Sequence, residues 1–178
     1  SKICRCFDCR QVLYEESMFD GQKVSKSRII TSVDYSMVSM EAFEIYATNH
    51  DIHVMDFVLK LDAYSYYMMN LLDYLIGNTD RHWGNWGFLV DNRTNQPIRL
   101  FDLMDLNQTF LAYDTPDGAN CMTTGNRKMS QREAAVEAVK NIGLNQKDEI
   151  KDEWFKGREK EREMFWCRFG ILKEQWKA

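Results

Sequence analysis

The chain has 178 residues, 44% hydrophobic and 28% charged, a composition that suits one well-buried core and excludes a disordered polypeptide. With 23 basic against 27 acidic residues the net charge is -4, which argues against a protein built to hold nucleic acid. No apolar run approaches the roughly 18 residues of a bilayer span, and the first residues lack a basic stretch followed by an apolar one, so a soluble cytoplasmic protein that binds neither membrane nor nucleic acid is expected.

Five cysteines, an odd number, suit a reducing compartment better than a disulfide framework. Cys4, Cys6 and Cys9 lie close together but lack a fourth ligand at a usual zinc spacing. Residues 1–35 carry short β-prone pieces, Gln11 to Tyr14 and Ser27 to Thr31, around an Asp20-Gly21 turn signal. From Ser39, a plausible N-cap, Met40, Phe43 and Tyr46 recur at helical spacing up to His50, and a short helix is expected from Asp51 to about Lys60. Asp62 then caps a long helix through Tyr66, Met69, Leu72, Leu75 and Ile76 that Gly77 stops.

After a polar loop, Gly87 to Val90 and Ile98 to Phe101 predict a β-hairpin joined by turn-forming residues. Ser130-Gln131-Arg132-Glu133 has the form of a capping box, and the helix it opens should close at Gly143. Asn145 can cap a further helix, and Met164, Phe165, Phe169 and Leu172 share one face of a charged helix from Arg158 to Lys177. Internal repeats and Pro-rich or Gly-rich linkers are lacking, with two prolines and nine glycines in all.

The chemistry is concentrated between the long helix and the hairpin, in Asn78-Thr79-Asp80-Arg81-His82-Trp83-Gly84-Asn85. In phosphoryl transfer an aspartate orients the attacking hydroxyl, and an asparagine five residues on offers a neutral oxygen to Mg²⁺ beside the phosphates. A second acidic ligand is needed just beyond the hairpin, where Asp102 and Asp105 compete, and spacing alone does not choose between them. Trp83 and Trp86 flank the motif and, like Tyr64, Tyr66, Tyr67, Met68 and Met69, are expected to pack in the core.

These residues resemble the C-terminal lobe of HipA-like serine/threonine kinases, whose catalytic loop commonly reads Asn-Thr-Asp-x-His-x-x-Asn. The likeness spans roughly residues 24 to 140 and is most specific from Leu75 to Phe110. That family continues into a hairpin and a strand ending Pro-hydrophobic-hydrophobic-Asp. Here Leu103-Met104-Asp105 matches its last three positions, and Asp102 stands where the family has proline.

The resemblance implies an α+β, mostly helical fold: a protein-kinase-like C-lobe over residues 36–178, a small hairpin at the active site, and a reduced β portion within residues 1–35. It makes Asp80 the catalytic aspartate and Asn85 and Asp105 the ligands that hold Mg²⁺ and ATP, with Asp102 the alternative. His82 matches the family's histidine, with loop support through hydrogen bonding as its expected task and a part in catalysis as the other. Ser25 to Thr31 is then the strand against which adenine would stack. No Gly-x-Gly-x-x-Gly and no Val-Ala-x-Lys pattern is present, and Lys2, Lys23 and Lys26 are the lysines of the N-terminal segment.

The implied activity is ATP- and Mg-dependent transfer to a serine or threonine hydroxyl of a protein substrate, with an antitoxin-like protein or a separate N-lobe chain as a further partner. The alternatives are a non-catalytic pseudokinase that binds a nucleotide or protein, and a lipid-type kinase, since phosphatidylinositol kinases use a similar Asp-Arg-His-x-x-Asn loop.

Overall fold

A computed structural model describes residues 2–111 and 113–177. In chain order the elements are α1 (Lys2–Arg5), β1 (Tyr14–Phe19), β2 (Gln22–Ser27), β3 (Tyr35–Ser39), α2 (Met40–Asn49), α3 (Val54–Ile76), β4 (Gly87–Asp91), β5 (Gln96–Leu100), α4 (Gln131–Ile142), a 3₁₀ turn (Asp152–Phe155) and α5 (Glu159–Lys177). The class is mixed α+β, with a two-stranded sheet β1-β2 and a three-stranded antiparallel sheet β3-β4-β5.

The second half of α3 is the central element. Met68, Leu71, Leu72, Tyr74, Leu75 and Ile76 are fully buried, and each such aliphatic side chain contributes about 1.5–3 kcal/mol of transfer free energy. Asp62 breaks the helical backbone (φ -155, ψ 64), and its carboxylate accepts from the Ser65 N–H at 3.2 Å. The two helices expected on either side of Asp62 are both present and meet at this break, the second capped as its sequence implies. Gly77 ends the helix at φ 62, a left-handed conformation that glycine adopts without steric cost.

Helix α4 presents Ala134, Ala135 and Ala138 to the core, all buried, and these small side chains let it pack closely on α3. Its capping box is fully formed: Ser130 Oγ accepts from the Glu133 N–H at 3.2 Å, and Glu133 Oε2 accepts from the Ser130 N–H at 2.7 Å. From α5, Phe165, Phe169 and Leu172 close the core. Arg168, wholly buried, donates to Tyr74 O at 2.7 Å and Thr115 O at 2.8 Å while lying over the rings of Tyr74 and Tyr113.

In the three-stranded sheet Val38 pairs with Phe88 and Phe88 with Leu100, so that one face presents Phe88 edge-on to Phe43 of α2, with ring centroids 4.7 Å apart. Gly87 permits the close approach of β3, since a Cβ there would overlap the carbonyl of Val38. The residues before β3 fall into two parts. Ile3, Cys4, Cys6 and Phe7 are buried in the same core as α3, and Cys6 O accepts from the Lys147 N–H at 2.7 Å. The β1-β2 hairpin, by contrast, is exposed along nearly its whole length.

Three local expectations require correction. The strands flanking the Asp20-Gly21 turn are Tyr14–Phe19 and Gln22–Ser27, not Gln11 to Tyr14 and Ser27 to Thr31, because the hairpin buries no face and leaves no alternation to mark its limits. Of Ser25 to Thr31, expected as the strand against which adenine would stack, only the first three residues are strand, at the end of β2, and the next strand, which enters α2, is Tyr35–Ser39. Asn145 does not open a helix: it adopts φ 50, and its Nδ2 donates to Ile142 O at 2.6 Å and Gly143 O at 3.3 Å, closing α4.

Candidate active site

The Asp80–Asn85 loop is positioned by a carboxylate that sequence reasoning missed. Asp73 lies on the buried face of α3, and an anion there requires a partner. Asn78 Nδ2 donates to Asp73 Oδ1 at 2.9 Å, while Arg81 donates from Nε to Oδ2 at 2.8 Å and from Nη2 to Oδ1 at 3.1 Å. Both side chains of this pair are about 95% buried, with 4% and 5% of their surface exposed.

The same guanidinium reaches further. Arg81 Nη1 donates to Asn85 O at 2.8 Å and to Met104 O at 2.7 Å, so one planar group joins the end of α3, the far end of the loop and the strand segment that precedes Asp105. Burial pulls the Arg81 pKa down, but the charge and hydrogen bonds of Asp73, with a further contribution from Asp105, carry it above the ordinary arginine value. The guanidinium is permanently charged and fixed.

Asp80 projects from this frame with its side chain 40% exposed. Its N–H donates to Asn78 Oδ1 at 3.3 Å, and Asn85 Nδ2 donates to Asp80 O at 2.8 Å and lies 3.4 Å from Asp80 Oδ2. With its NH₂ turned toward Asp80, Asn85 leaves its amide oxygen without a hydrogen bond from the described residues. His82 Nδ1 accepts from the Gly84 N–H at 3.0 Å, which places the proton of the neutral ring on Nε2, 3.9 Å from Asp80 Oδ1. That separation is too long for a hydrogen bond, and the imidazole acts here as a brace of the turn.

The two competing aspartates occupy different electrostatic states. Asp102 Oδ1 accepts from Arg99 Nη1 at 2.6 Å, and the pair is largely buried. Asp105 makes no hydrogen bond or ion pair with the described residues, yet it lies near enough to Arg81 to help raise its pKa. Its backbone sits at φ 53, a left-handed conformation that costs a non-glycine residue of order 1 kcal/mol and that tends to persist where a side chain must be aimed.

Asn85 Oδ1 and the Asp105 carboxylate are hard oxygen donors. Among the described residues no group of three or more His, Cys, Asp or Glu could form a closed metal cage. One amide oxygen and one carboxylate, with the rest of the shell left to phosphate and water, are the donor set that suits Mg²⁺. The Cys4–Cys9 segment is of another kind: burial, with smaller contributions from neighbouring charges, raises the Cys9 thiol to about 12, so it stays protonated.

Further residues latch the loop from outside. Gln131 of α4, buried, donates from Nε2 to Asn78 O at 2.5 Å and accepts from the Ala119 N–H at 3.0 Å. Trp83 Nε1 donates to Met122 O at 2.8 Å, and Thr123 donates to Asn70 Oδ1. Trp86 is buried as expected, while Trp83 is only half-buried. The detectable signal was polar: Asn70 and Asp73 interrupt the apolar face of α3 at positions where a helix facing only a core would carry leucine.

No protein-family model matches the chain, and no curated protein matches it. Among solved structures it is similar to the Helicobacter pylori proinflammatory kinase CtkA, with a TM-score of 0.58 and 14% sequence identity over 98% of this chain and 79% of that one. At that identity the likeness speaks to the fold alone, and the fold is kinase-like.

Proposed function

We propose that the chain is a kinase-type phosphotransferase of the HipA-like class that moves the γ-phosphoryl group of ATP to a serine or threonine hydroxyl of a protein. The observation that carries this reading is the single guanidinium of Arg81, which holds the Asp80–Asn85 loop and the Met104-Asp105 segment on one buried carboxylate. Asp80 orients the acceptor hydroxyl and takes its proton as the new oxygen–phosphorus bond forms and the bond to the β-phosphate oxygen breaks, ADP leaving. Asn85 and Asp105 would hold Mg²⁺ through oxygen, and the ion when bound would supply charge neutralisation at the phosphates. The preference for Asp105 over Asp102 rests on the ion pair that already satisfies Asp102.

Radiolabelled phosphate transfer across a Mg²⁺ titration tests the assignment. Asp80→Asn keeps shape and most local hydrogen bonds, so it should fold normally and lose transfer at every Mg²⁺ concentration, whereas Asp105→Asn should recover partly in excess metal. Near wild-type transfer by Asp80→Asn would remove the catalytic role. A non-catalytic reading is favoured by one observation: Lys2, Lys23, Lys26 and Lys60, the lysines before the loop, all lie exposed on α1, β2 and α3. Under it the wild-type chain would show no transfer whatever the metal.

A further inference from the structure

A cavity of about 370 Å³ opens beside the Asp80–Asn85 loop, on the side where Trp83 stands, between the α2–α3 corner and residues 124–127. Its floor is apolar and aromatic, made by Ile52, Met55, Leu59, Tyr66 and Trp83. Its rim is acidic. Glu137 is paired with Arg127 at 2.8 Å and Asp56 with His53 at 3.1 Å, but Glu44 makes no hydrogen bond or ion pair with the described residues. Glu41, one turn before Glu44 on α2, extends the negative edge to the loop: its Oε2 would lie 3.6 Å from a Cβ built on Gly84.

The geometry points to this cavity as the seat of an arginine or lysine side chain of the protein substrate, close in sequence to the residue that receives the phosphoryl group. The inference rests on the kinase reading of the Asp80 loop. An apolar floor under an acidic rim matches a side chain with an aliphatic stem and a cationic head, the stem lying on Met55 and Leu59 and the head reaching Glu44 across the Trp83 ring. An acidic side chain would meet the carboxylates of Glu44 and Glu41. A purely apolar one would cover the floor and leave Glu44 less hydrated without a partner.

The spacing follows from chain geometry. Trp83 is three residues from Asp80, a reach of at most about 11 Å, and an extended peptide advances about 3.3 Å per residue. The cation therefore sits two to four residues from the acceptor. The net charge of -4 favours encounter with a basic segment.

Fluorescence anisotropy with the full chain and labelled peptides tests this. Each peptide carries one serine and, three residues away on either side, arginine, norleucine or glutamate. The arginine peptide should bind about three- to tenfold more tightly than the norleucine peptide and more tightly still than the glutamate one. Glu44→Gln, at an exposed position, should erase most of that preference while leaving the norleucine peptide unchanged. Equal affinities across the set, no binding of any peptide, or competition by free arginine as effective as by the peptide would each overturn the proposal. Transfer measured in parallel keeps the two readings apart: transfer without a charge preference sinks the cavity assignment alone, and a charge preference without transfer sinks the kinase reading alone.

Discussion

Replacing Arg81 with lysine keeps the positive charge and removes the fork. Arg81 makes four hydrogen bonds of 2.7 to 3.1 Å in three directions: two to Asp73, one to Asn85 O and one to Met104 O. An ammonium is a single point and cannot reach the carboxylate and both carbonyls together. Arg81→Lys should retain the contact with Asp73 and lose the two carbonyl contacts, each a hydrogen bond from a charged donor worth about 1.5–3 kcal/mol. Water admitted by the shorter head offsets part of this, so the net loss is about 3 kcal/mol. Urea denaturation followed by tryptophan fluorescence reads it: with a slope of about 2 kcal/mol/M the midpoint should fall by about 1.5 M. Arg81→Met, which strands Asp73 in the core, should cost more, about 3–5 kcal/mol. A midpoint for Arg81→Lys within about 0.3 M of wild type would refute the view that this guanidinium joins the loop to the Asp105 segment.

Gly77→Ala adds a Cβ at φ 62 that overlaps the Tyr113 ring, whereas Gly157, at φ 73, has open space around it. Thermal unfolding should therefore show about 1 kcal/mol lost by Gly157→Ala and about 2–4 kcal/mol by Gly77→Ala, and equal losses would mean that Tyr113 yields freely. Hydrogen bonds from the Ser130 backbone and hydroxyl hold the Glu133 carboxyl below its usual range. A depressed folded pKa gives stability that is full above the unfolded value and lost as pH falls through the folded one. The stability gap between wild type and Glu133→Gln should thus be present at neutral pH and close below about pH 4, and a gap that persists in acid would show that it does not come from the ionised carboxylate.

Much of the frame around the site was legible because it depends on local signals. Ser39, Gly77, the Ser130–Glu133 box and Gly143 mark helix ends through backbone chemistry that does not wait for tertiary context, and each stands at the end of an element where the sequence puts it. Asp80 and Asn85 were visible as a spacing, and the structure brings their side chains within 3.4 Å. What was not legible depends on distant pairing. Whether Asp102 or Asp105 is free turns on Arg99, whose guanidinium lies on Asp102, and spacing carries no information about that choice. The part of Asp73 depends on a partner eight residues later and across the turn at Gly77, so it showed only as a polar intruder on an apolar helix face. The exposed β1-β2 hairpin offered no hydrophobic period at all.

The distribution of charge pairs itself favours a cation at this site. Asp62 is matched by Arg10 at 2.6 Å, Asp73 by Arg81 and Asp102 by Arg99, so the acids that border the loop are neutralised one by one. Asp80 and Asp105 are treated differently: among the described residues the first receives only long side-chain contacts, 3.4 Å from the Asn85 amide and 3.9 Å from His82 Nε2, and the second makes no hydrogen bond or ion pair and sits in a left-handed backbone conformation. Arg81 spends its hydrogen bonds on Asp73 and on two backbone carbonyls, and so fixes the positions of the segments that carry both acids without a hydrogen bond to either. Under the kinase reading proposed above, a divalent ion with attached phosphates would supply the positive charge that these acids do not receive from close partners. The rigidity is thus placed in the buried pairs, and the two acids without close partners are left on the segments that they hold, where the proposed ligand would meet them.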